Sequence, residues 1–129
     1  MVIATADHRG FTLIEMLVVM AIIATLLSFV GPRYFESVVR AKESTLQHDL
    51  SVIRDSIDKF YSDTGAYPES LEVLVQARYL RDLPKDPITN SRDTWQITFP
   101  PDPNDKGVVF DVHSGALGLA QNGTRYADW

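Results

Sequence analysis

The sequence predicts an α+β protein: one long N-terminal helix, transmembrane and then amphipathic, bent at Gly31-Pro32 and packed on a short helix and a small antiparallel β-sheet. Three observations carry that expectation. Residues 11–30, FTLIEMLVVMAIIATLLSFV, form an apolar run whose only charge is Glu15. Leu46, Leu50, Ile53, Ile57 and Phe60 then recur alternately four and three apart, the spacing of one helix face. Finally, two alternating runs rich in β-formers, TWQITF and VVFDV, flank a turn rich in proline and aspartate.

Residues 1–10 are short, mixed and aperiodic. The apolar run that follows, about 20 residues at 1.5 Å each, covers roughly 30 Å, the thickness of a bilayer's hydrocarbon core. A removed secretory signal would be shorter and would end in a small-x-small site, which LLSFV before Gly31 does not offer. Residues 11–30 therefore read as a retained anchor. Charge does not orient it: Arg9 stands against Asp7 on one side, and Arg33, Arg40 and Lys42 follow on the other. At the joint, Pro32 removes the donor that would bond the Ser28 carbonyl, so the helix should bend or melt locally.

Residues 33–64 read as the amphipathic half, with Glu36, Arg40, Glu43, Asp49, Arg54, Asp55 and Lys59 lying largely off the apolar stripe. Gly65 supplies a left-handed cap and Tyr67-Pro68 prevents continuation. In residues 65–129, SLEVLVQARYL suits a short helix burying Leu71, Leu74, Val75 and Leu80. RDLPKDPITN is an irregular link, in which Asp82 and Asp86 serve for capping and solvation. Thr94 to Phe99 and Val108 to Val112 form a hairpin, and the glycine-rich tail is mostly loop with Tyr126 and Trp129 tucking back.

The 129 residues suffice for one small domain beside one membrane segment. A net charge of −5 offers no footprint for nucleic acid. With no cysteine, disulfides and thiol chemistry are excluded. His8, His48 and His113 show no spacing of a metal site or triad, so no catalytic residue and no enzymatic activity is expected.

At Arg9 to Glu15 the sequence reads RGFTLIE, with a membrane-length apolar segment behind it. This resembles the type IV prepilin and type II secretion pseudopilin superfamily. Downstream, YPESLEVLVQARYLRDLPKDPIT and the ending FDVHSG through GTRYADW are similar to its major pseudopilin group. The resemblance implies a leader at 1–10 cut between Gly10 and Phe11 by a membrane-embedded prepilin peptidase, which also methylates the new amine of Phe11. It implies a transmembrane helix at 11–30 and a pilin-like domain at 31–129 in the periplasm, anchored in the bacterial inner membrane. The leader holds one arginine and one aspartate, so cleavage leaves the net charge at −5. Copies would dock through Glu15 and the Phe11 amine of a neighbour into a helical filament, with a helix break at Gly31 and Pro32. Partners would be an inner-membrane assembly platform and minor pseudopilins, and the filament would push folded proteins through the outer membrane. A type IV pilus pilin or minor pilin, serving adhesion or DNA uptake, shares every N-terminal feature and stays open.

The same group typically holds calcium in an aspartate-rich C-terminal loop, since that cation requires several oxygen ligands. Here the loop keeps only Asp128 as a carboxylate, with Asp111, Ser114 and Asn122 as helpers. In DPNDKG, Lys106 stands where a ligand is wanted. No cofactor is therefore expected, with these four residues as the calcium candidates.

Overall fold

The computed structural model describes residues 2–129, which divide into two compact units, residues 2–37 and Val38–Trp129. Helix α1 spans Leu13–Thr64 with Pro32 inside it. Helix α2 is Leu71–Gln76, strand β1 is Gln96–Thr98, strand β2 is Asp111–His113, and one 3-10 turn covers Tyr126–Asp128.

In the first unit every residue from Phe11 to Val30 is exposed, although the run is apolar and long enough to cross a membrane. So large an apolar surface in water would be unfavourable; it suits lipid or neighbouring helices. The hydroxyls on this stretch turn inward, Thr25 donating to the Ala21 carbonyl at 2.8 Å and Ser28 to that of Ala24 at 2.9 Å. Each polar group is thereby satisfied within the helix, as a bilayer demands. Of the two outcomes open at Gly31-Pro32, a bend or a melt, the melt is absent: the backbone is helical throughout. Gly31 explains the tolerance, because the proline ring normally clashes with the Cβ of the preceding residue and glycine has none.

In the second unit the apolar stripe is buried as its spacing predicts. Leu46, Leu50, Ile53 and Ile57 pack with Leu71, Leu74, Leu80, Leu83, Trp95, Val109, Val112, Ala116, Ala120 and Tyr126 in one core. Gly65, at φ +72°, closes α1 by donating to the Tyr61 carbonyl at 2.8 Å. Helix α2 stops four residues before Leu80 because Arg78 takes φ +64°, and the Tyr79 and Leu80 amides both return to the Leu74 carbonyl. Leu80 is still buried, but by this reversal rather than by helix.

The hairpin is present, antiparallel, with Gln96 opposite His113, Ile97 opposite Val112 and Thr98 opposite Asp111. Its strands are shorter than the β-rich runs. The second begins at Asp111 because the Val108 and Val109 amides bond instead to the Pro68 carbonyl, at 3.2 and 2.9 Å. Gly107 makes this approach feasible: it sits at φ +100°, and a Cβ there would lie 2.0 Å from the Tyr67 carbonyl oxygen.

Candidate functional site

Two regions carry the residues singled out by sequence. At the N-terminus, Gly10 and Phe11 are exposed and precede the helix, so the bond between them lies outside regular structure and is open to solvent. The helix start is built by a reciprocal cap. Thr12 Oγ1 accepts the Glu15 amide at 3.1 Å, while Glu15 Oε2 accepts the Thr12 amide at 3.4 Å. This is a capping box, and its signature T-x-x-E was legible in Thr12 to Glu15. Glu15 thus has a local duty within its own chain, and its exposed carboxylate lies about one turn from Phe11 in the apolar unit.

The second region is the tail, residues 115–129, which two side chains of α1 hold. Glu43 is 9% exposed; its Oε1 accepts the Tyr126 hydroxyl at 2.9 Å and the Gln121 amide at 2.9 Å. Burial, and then the bond to Glu43, push the Tyr126 phenol above the usual tyrosine range. Glu43 was expected off the apolar stripe, yet it stands three residues before Leu46 and so continues it. Its burial is stabilised by those two donors.

Arg54 is the other holder. Its Nε donates to Asp111 Oδ1 at 2.8 Å, and its Nη2 to the main-chain oxygens of Val112 and Trp129, each at 2.8 Å. His113 Nδ1 lies 2.6 Å from that same Trp129 oxygen. A lone arginine in an amphipathic helix has no pattern that announces such a role.

The four calcium candidates each turn to a different partner. Asp111 pairs with Arg54, and Ser114 donates to Asp86 Oδ2 at 2.5 Å. Asn122 accepts the Thr124 amide and hydroxyl, and Asp128 takes a two-pronged bond from Arg125 at 2.9 and 3.0 Å. That guanidinium holds the Asp128 carboxyl below the usual carboxylate range. Among the described residues no three His, Asp or Glu side chains gather for a metal. The residues do not fit a calcium ion, because both carboxylates already face a guanidinium that a dication would have to displace.

Asp86 departs from the solvation expected of it. It is fully buried, its Oδ1 accepting the Ile88 and Thr89 amides at 2.8 and 3.4 Å, so it pins the link to the Ser114 end of β2. Asp82 does cap, accepting the Leu83 amide at 2.9 Å, and its other oxygen meets Arg92 at 3.0 Å.

The model of the prokaryotic N-terminal methylation motif matches residues 5–31. The chain is 30% identical to type II secretion system core protein G of Vibrio cholerae over 126 residues, covering 86% of this chain and 82% of that one. It is 31% identical to the protein of the same name from Escherichia coli, covering 93% and 84%, and 32% identical to that of Klebsiella pneumoniae, covering 95% and 94%. Fimbrial protein EcpC of Eikenella corrodens is 35% identical over 61 residues, 47% of this chain and 40% of that one. No solved structure matches the chain.

Proposed function

The chain belongs to the type II secretion system core protein G family, and from that premise we propose that it is a structural subunit of a pseudopilus, cut after Gly10 and assembled through its N-terminal helix. The observation that carries this reading is the juxtaposition in residues 10–30 of an accessible Gly10-Phe11 bond, a capped helix start at Thr12 and Glu15, and a wholly exposed apolar helix. An apolar surface of that length is stable only in lipid or against copies of itself. The anchor is residues 11–30 in the inner membrane, and residues 31–129 lie in the periplasm.

In this reading prepilin peptidase methylates the Phe11 amine and an inner-membrane platform adds subunits beneath minor pseudopilins. The growing filament then moves folded proteins toward an outer-membrane channel. The family assignment favours the pseudopilus over a type IV pilus, since the core protein G relatives align over most of both chains and the fimbrial relative over less than half of either. Intact-mass measurement on the native protein tests the processing. Loss of residues 1–10 and a gain of about 14 Da for one methyl group is expected; a start at Met1, or beyond Val30, refutes it. Gly10→Val should leave the chain inserted but uncut.

A further inference from the structure

We propose that Arg54 does in this chain what a metal ion could otherwise do: its guanidinium gathers the oxygens that order the C-terminal segment, which is held without a metal ion. The proposal concerns the subunit's own fold and stands whether or not the filament reading holds.

The ligand set is the first argument. One side-chain carboxylate oxygen, from Asp111, and two main-chain oxygens, from Val112 and Trp129, converge on a single cationic group at 2.8 Å each. These oxygens lie 57, 58 and 75 positions from Arg54 in the chain, so one side chain ties α1 to β2 and to the last residue of the tail. Carboxylate and main-chain oxygens drawn from separate segments are what a hard divalent cation collects. A guanidinium serves the same geometry because its donors form a rigid planar fork and its charge persists at any physiological pH.

Exclusion is the second argument. A dication approaching Asp111 would meet a fixed positive charge already bonded to that carboxylate, and like charges at such range repel strongly where solvent is partly excluded. Asp128, the side-chain carboxylate of the tail itself, is closed off in the same manner by Arg125. The Trp129 oxygen is held from a second side by His113, and the Gln121 amide and Tyr126 hydroxyl are held by Glu43. The tail is thus fastened by Glu43 at Gln121 and Tyr126 and by Arg54 at Trp129.

The test uses the full chain in detergent micelles, with thermal unfolding and amide hydrogen exchange followed in excess calcium and in excess chelator. The wild-type midpoint and the exchange of residues 115–129 should be the same in both. Arg54→Met, which keeps the apolar stem and removes the fork, should lower the midpoint by about 10 °C and speed tail exchange about tenfold or more, again regardless of calcium. Arg54→Lys keeps the charge as a single point and should fall between the two, so it carries the test if Arg54→Met is too unstable to purify. A wild-type midpoint that rises with calcium and falls with chelator overturns the proposal. So does an Arg54→Lys protein with wild-type midpoint and wild-type tail exchange.

Discussion

Glu15→Gln separates the capping duty that the structure places on this side chain from the docking role proposed for it. The cap needs only an acceptor reaching the Thr12 amide, and glutamine serves in that position as glutamate does. The charge is a different matter. A carboxylate at the centre of an apolar segment costs about 2.5–3.5 kcal/mol on insertion scales, an upper bound for Glu15 in the first turn, and within the described unit only the cap offsets it, since Glu15 takes part in no ion pair there. Docking against a neighbour's Phe11 ammonium would relieve that cost, so the relief available to assembly is bounded by the same 2.5–3.5 kcal/mol, or about 100-fold in each docking equilibrium. Glu15→Gln removes the cost and the relief together, and should leave helix content, processing and insertion unchanged while filament yield falls to background. Glu15→Ala should lose the filament and also about 1 kcal/mol of cap. Glu15→Asp should be intermediate. The assay is electron microscopy and sheared-filament yield in cells without a wild-type copy, with circular dichroism and intact mass on the same proteins. Normal filament number and length from Glu15→Gln would refute the docking role and leave the cap as the residue's function.

Three further outcomes follow from other parts of the chain. In the assembled filament the helix should lose its hydrogen bonding around Gly31 and Pro32, since the loss costs about 3 kcal/mol and helix packing can offset it; a cryo-EM map with unbroken helix from Ser28 through Phe35 would contradict this. Tyr126 has its proton held more tightly in the folded state, so its contribution is full below the usual tyrosine pKa near 10 and is lost as pH rises through the raised value. Tyr126→Phe should therefore cost about 1–3 kcal/mol at neutral pH, from the lost bond to Glu43, and should show a shallower decline in melting temperature above pH 10 than the wild type. Gly107→Ala should destabilise by about 3 kcal/mol or more, because neither its φ of +100° nor the Tyr67 carbonyl leaves room for a methyl; an unchanged denaturant midpoint would show that the loop yields freely.

Legibility differed between the two units. The first unit is one helix whose properties are sums over neighbours in sequence, so length, hydropathy and the position of a single charge sufficed to describe it. Even there the T-x-x-E cap at Thr12 and Glu15 could have been read and was overshadowed by the charge in the apolar run. In the second unit, periodicity located the buried face at Leu46, Leu50, Ile53 and Ile57, and β-rich runs located the hairpin. The strand ends were not legible. Val108 and Val109 have the composition of strand, but their amides are taken by the Pro68 carbonyl, a partner about 40 positions away. Helix α2 likewise ends at an arginine in the left-handed region, where sequence points only to glycine or asparagine.

What the sequence determined by itself was the family, an apolar run long enough to cross a membrane and the alternation of buried and wet faces, because each depends on residue type at a fixed local spacing. Only the tertiary structure decided what the polar residues near the core do. Glu43, Arg54 and Asp86 are the same letters as any solvated charge, and the tail candidates Asp111, Ser114, Asn122 and Asp128 could have been ligands by composition alone. Their roles depend on which donors and acceptors the fold carries to within 3 Å of them, from segments up to 83 positions distant. A hydrogen bond is specified by the direction and distance of two partners, and one-dimensional spacing holds neither once the partners lie on different elements.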